Sequence, residues 1–74
     1  MSASDLVVED IAIAVEIRGV YDGTSAYLMK DGTWRNRWDG LGLPKRQRAT
    51  ADWIEQNGEA FREANRDLLD EDAR

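Results

Sequence analysis

Residues 27–38 read Tyr-Leu-Met-Lys-Asp-Gly-Thr-Trp-Arg-Asn-Arg-Trp, an Asp-Gly turn between two short runs that hold two of the three tryptophans. Asp-Gly supplies the positive φ angles that tight hairpins need. A lone hairpin is barely stable in water, so the rest of the chain must cover one of its faces. Which face that is decides the fold.

The stretch before the hairpin can pair with it. Val7, Ile11, Ile13, Val15 and Ile17 occupy odd positions, with Glu9 the exception, while Asp10, Ala12, Ala14, Glu16 and Arg18 occupy even ones. Period-two alternation in β-branched residues marks a half-buried strand, dependable over residues 11–18 and ragged over 7–10. Turn lengths then follow from asking which faces agree. Two two-residue loops would set Tyr27, Met29, Trp34 and Trp38 on the opposite face from the isoleucines. A three-residue first loop, Tyr21-Asp22-Gly23 with Gly23 as a left-handed bulge, and a two-residue second one gather Ile11, Ile13, Val15, Ile17, Tyr27, Met29, Trp34 and Trp38 on one face, Asn36 among them. Because a one-residue slip swaps faces completely, the second arrangement is expected. Its outward face carries Glu16, Arg18, Ala26, Leu28, Lys30, Thr33, Arg35 and Arg37.

Residues 39–44 (Asp-Gly-Leu-Gly-Leu-Pro) form a loop, with Leu41 and Leu43 expected to tuck under the sheet. A helix starts near Pro44 to Arg46, proline suiting the first turn. Ile54, Phe61 and Leu68 recur at seven and define its buried face with Trp53. Asn57-Gly58 is a stop signal, yet at about 100° per residue Asp52, Glu55, Glu59, Glu63, Asp67 and Asp70 keep one phase opposite that face. The expectation is α+β: a three-stranded antiparallel meander packed against a C-terminal helix, either one long helix or two segments hinged at Gly58. Residues 1–74 read as a single domain, with 1–5 and 71–74 as flexible ends.

Composition narrows the function. The chain has no cysteine and no histidine, which removes disulfides, the commonest zinc ligands and the usual general base near neutral pH. No Gly-rich phosphate loop is present, Ser2, Ser4 and Ser25 lack an apparent partner, and so small a core leaves little room for a pocket that shifts pKa. A non-enzymatic protein without cofactor or metal is expected. No apolar run reaches membrane-spanning length and the N-terminus lacks a signal pattern, so the expected location is cytoplasmic.

The net charge of −5 is segregated. Residues 1–29 carry −4, residues 30–48 carry +4, and residues 49–74 carry −5. The outward sheet face (Arg18 from the preceding strand with Lys30, Arg35 and Arg37 of the basic middle), with Lys45, Arg46 and Arg48 nearby, would neutralise phosphates, or would simply keep a sheet face soluble. The acidic stripe Asp52, Glu55, Glu59, Glu63, Asp67, Asp70 repels itself. It is either a solvated face or a docking edge for a basic partner, its regular carboxylates imitating the phosphates of nucleic acid. Five large aromatics, Tyr27, Trp34, Trp38, Trp53 and Phe61, are core material, with Trp38 or Phe61 left over for a partner or a second copy in a homodimer.

Two resemblances add to this. Asp31-Gly32-Thr33-Trp34-Arg35-Asn36-Arg37-Trp38, a basic loop, and Ala49-Thr50-Ala51-Asp52-Trp53-Ile54 resemble the arm-binding N-terminal domains of phage integrases, themselves similar to plant AP2 domains. The likeness covers residues 27–57 and implies three strands and a helix, with the sheet laid on DNA. Lys45-Arg46-Gln47-Arg48 departs from the aromatic-Thr-Lys pattern with which that family enters its helix. More broadly, the chain is similar to short proteins encoded by bacteriophages and mobile elements, which implies an inhibitor or regulator acting by binding. The leading expectation is a protein that docks a basic protein surface through its acidic helix edge. The alternative is a DNA-binding domain using the basic outer face of the sheet.

Overall fold

The computed structural model describes residues 8–39 and 43–69. The expected flexible ends, with Asp70, and the placement of Leu41 lie outside these residues. A 3-10 turn, Val8–Asp10, leads into β1 (Ile11–Val15), followed by β2 (Ala26–Met29), β3 (Trp34–Asn36) and one helix, α1 (Pro44–Ala64). The strands form an antiparallel sheet in the order β1-β2-β3, and α1 packs against it on the β3 side. This is the expected α+β meander with a C-terminal helix.

The register departs from expectation in the middle strand. Ile13 pairs with Leu28, Ala14 with Tyr27 and Val15 with Ala26; Leu28 pairs with Trp34, Tyr27 with Arg35 and Ala26 with Asn36. Ala26 and Leu28 therefore lie on the helix side with Ile13, Val15 and Trp34, both fully buried, while Tyr27 alternates to the other face and is only half-buried; Met29 at the strand end is buried, as expected. An irregularity between Ile11 and Ile13 sets Ile11 opposite Met29, and Ile11 is half-buried there.

Both loops explain the flip. The second has three residues: the Gly32 N–H donates to the Met29 carbonyl at 2.9 Å and the Met29 N–H to the Thr33 carbonyl at 2.8 Å. Gly32, at φ +87°, is the left-handed bulge residue of this turn, the role assigned from sequence to Gly23. Asp31 braces it, its Oδ1 accepting from the Thr33 N–H at 2.9 Å and the Thr33 hydroxyl at 2.6 Å. The first connection spans residues 16–25, because β1 stops at Val15 rather than Arg18. The chain turns there, with the Val20 N–H donating to the Ile17 carbonyl. Ile17 is still buried, in a loop position, where the Ser25 hydroxyl lies 3.5 Å from its N–H.

One helix runs unbroken through Gly58. Pro44 occupies its first turn and Leu43 at the N-cap gives no side-chain bond. Leu43 stays two-fifths exposed instead of tucking under the sheet. Gly58 continues the helix because the Trp34 indole lies against it: a Cβ there would sit 2.9 Å from Trp34 Nε1 and 3.1 Å from Ile54 Cγ2. It is a close-approach residue, not a hinge. Trp34, Trp53 and Phe61 meet edge to face with centroids 5.7 to 6.0 Å apart, a geometry that adds about 0.5–1.5 kcal/mol per pair beyond burial. Asn36 ties sheet to helix, its Nδ2 donating to the Gln47 carbonyl at 2.8 Å while its Oδ1 accepts from the Trp38 N–H. The helix ends at Ala64. Asn65 caps it, and a 3-10 turn follows over Arg66–Leu68, so Leu68, expected on the buried face, is half exposed.

Candidate functional site

Continuity of α1 places the acidic edge. Asp52, Glu55, Glu59 and Glu63 are all exposed and fall within about 80° of arc at 100° per residue. Thr50, Trp53, Ile54, Gly58 and Phe61 occupy the opposite, sheet-facing side. Between Asp52 and Glu63 the edge rises about 16 Å. Asp67 lies beyond the helix in the 3-10 turn, so among the described residues the stripe keeps helical phase over four carboxylates and loses it at Asp67. Two of them are paired: Arg62 reaches Glu59 at 3.2 Å and Arg66 reaches Glu63 at 3.4 Å. Such exposed pairs are worth a few tenths of a kcal/mol. Among the described residues Asp52 and Glu55 have no ion-pair partner. Arg62 also donates to the Gly32 carbonyl at 3.4 Å, fastening the lower helix to the hairpin tip.

The basic residues do not share one flat face. Arg35 points outward beside Tyr27 and Ala14. Lys30 sits in the hairpin loop, while Arg18 lies in the connection at the other end of the sheet, roughly 15 Å away along the strands. Ala26 and Leu28, expected beside them, are buried under the helix.

Arg37 instead joins a cluster at the end of the sheet nearest the start of α1. Tyr21 and Trp38 meet edge to face, centroids 4.9 Å apart. The Arg37 guanidinium lies 5.4 and 5.2 Å from the two ring centroids, and that of Arg46 lies 5.3 Å from both. Tyr21 sits in a loop with no periodic signal, so its pairing with Trp38 was not legible locally. The adjacent Gln47 amide donates to Asp39 at 2.7 Å. Lys45 and Arg48 border a shallow groove with Pro44, Ala49 and Asp52.

The Asp31 carboxyl is held below the ordinary carboxylate value, first by the Thr33 hydroxyl and then by the Thr33 N–H. Among the described residues no three carboxylates are grouped to hold a metal ion, and no helix is long and apolar enough to cross a membrane. No family model matches the chain, and neither the curated proteins nor the solved structures hold a match to it. The architecture and the charge pattern therefore carry the functional argument.

Proposed function

We propose that this protein acts by binding, as a small inhibitor or regulator that docks a basic protein surface on the exposed edge of α1. What supports the reading is the unbroken helix, held against Trp34 at Gly58, which keeps Asp52, Glu55, Glu59 and Glu63 in one phase away from the core. A row of carboxylates at this spacing presents charge much as a phosphate backbone does, and so competes for a surface that otherwise holds nucleic acid. Asp52 and Glu55 supply the unpaired charge. Glu59 and Glu63 exchange their arginine partners for those of the docked surface. Charge of this kind sets association rate and selectivity more than raw affinity.

The test is a partner captured on the immobilised protein and then measured by calorimetry against the wild type and a Glu55→Gln, Glu59→Gln, Glu63→Gln variant. All three positions are exposed, so the variant folds. The expected outcome is a basic partner whose binding weakens at least tenfold in the variant and falls as salt rises past about 0.1 M, where the screening length is about 10 Å. Equal affinity for the two proteins would refute the reading.

A further inference from the structure

The Tyr21–Trp38 corner is separate from the acidic edge and has a property of its own. Two guanidiniums sit on the same pair of rings, and through Trp38 their carbons are no more than about 10.5 Å apart, the sum of 5.2 and 5.3 Å. Neither takes part in the two ion pairs found among the described residues. The first turn of α1 contains no acidic residue and carries Lys45 and Arg46, with Arg48 just after it, where the helix dipole is already positive. Leu43 provides no capping side chain for its first N–H groups. Like charges are thus concentrated at one end of a chain that is acidic elsewhere.

A second observation points the same way. Trp38 is only 3% exposed, yet among the described residues its indole Nε1–H has no acceptor, and neither has the buried Nε–H of Arg37. Buried donors are nearly always paired, and an unpaired one in a native fold calls for an explanation such as an absent ion. Arg46, whose guanidinium lies over the face of the Trp38 ring, is itself exposed, so its long side chain is free to move about the rings.

We propose that Arg37, Arg46 and the Trp38 indole at the start of α1 form an oxyanion site that takes a phosphate group. Guanidiniums match phosphate oxygens with paired N–H donors, the helix N-terminus adds its own positive potential, and the Tyr21 ring lies within 5.4 Å of both guanidinium carbons. The phosphate arrives either free or as part of a phosphodiester chain; the chemistry recognised is the same.

The experiment uses the full chain labelled with nitrogen-15. Inorganic phosphate is titrated at constant ionic strength against chloride, and an eight-residue oligothymidylate is titrated separately. The expected result is a saturable shift of the Trp38 indole and Arg37 Nε resonances with at least one probe. Response to inorganic phosphate identifies a site for free phosphate, and response to the oligonucleotide alone identifies a phosphodiester site. Arg46→Gln should weaken binding about tenfold, the loss of one charge-assisted contact, while Arg35→Gln on the sheet should leave it within about twofold, a distant exposed charge adding little. Arg46→Lys keeps the charge without the fork, and should bind more weakly than wild type even if Arg46→Gln disturbs folding. No saturable shift with either probe would overturn the proposal. So would equal losses in Arg46→Gln and Arg35→Gln, or full affinity in Arg46→Lys, since either would leave only diffuse attraction.

Discussion

Gly58→Ala separates a helix that merely lies near the sheet from one locked against it. In an open helix this change stabilises by about 0.8–1.0 kcal/mol, because alanine loses less backbone entropy. At Gly58 the new methyl would sit 2.9 Å from Trp34 Nε1, 3.4 Å from Trp34 Cε2 and 3.1 Å from Ile54 Cγ2. The Trp34 ring is edged by Trp53 and Phe61 and has little freedom to retreat. Overpacking of this sort costs about 1–3 kcal/mol, which outweighs the propensity gain, and the indole N–H is pushed from its place as well. The net expectation is destabilisation by up to about 2 kcal/mol, or a fall in Tm of up to roughly 16 °C for a domain of this size. Thermal and urea unfolding followed by tryptophan fluorescence would measure it, with the exposed Ala60→Gly as a propensity control costing about 1 kcal/mol. A Gly58→Ala protein more stable than wild type would refute the claim that Trp34 lies on this glycine, and with it the packing that phases the acidic edge.

The register is testable in the same way. Leu28→Ala should cost about 2–5 kcal/mol as a buried large-to-small change, and Tyr27→Ala distinctly less; the opposite order in urea unfolding would restore the register in which Tyr27 faces the core. Thr50 is fully buried and its hydroxyl has no partner among the described residues, so Thr50→Val should stabilise by about 1 kcal/mol, and a loss of stability would show that the hydroxyl is satisfied. Asp31 has a depressed pKa in the fold, so its contribution is present above the unfolded value of about 3.9 and disappears as pH falls through the folded one. A carboxyl NMR titration should find that pKa below the ordinary value and moving back up in Thr33→Val, which removes the largest cause; an unchanged titration would contradict the Asp31–Thr33 bond.

Much of the candidate site was legible because it depends on helix period alone. The spacing of Asp52, Glu55, Glu59 and Glu63 puts them on one side of any continuous helix, and the structure keeps that helix continuous. Asp67 was misplaced because the pattern of charge runs on where the backbone does not: Asn65 ends the helix, and solvated carboxylates exert little force on where a helix stops. The Tyr21–Trp38 corner was missed because it joins residues that no local period relates. One lies in a loop and the other in a turn after the last strand.

The chain on its own determined the element types, the inward faces of β1 and β3, and the start of the helix at Pro44. Each of these is local, written in period-two or 3.6-residue patterns and in turn residues. Only the tertiary structure decided the face of β2. Strand alternation carries no absolute direction, so β2 depends on loop lengths at both ends, and each loop differed from expectation in a way that reversed it. Two reversals cancel between β1 and β3, which is why Ile13, Val15 and Trp34 share a face as expected while Ala26 and Leu28 take the place on it expected of Tyr27. The same holds at Gly58. As sequence it is a helix breaker, and what makes it a helix interior is the indole of Trp34 arriving from a strand to occupy the space a side chain would need.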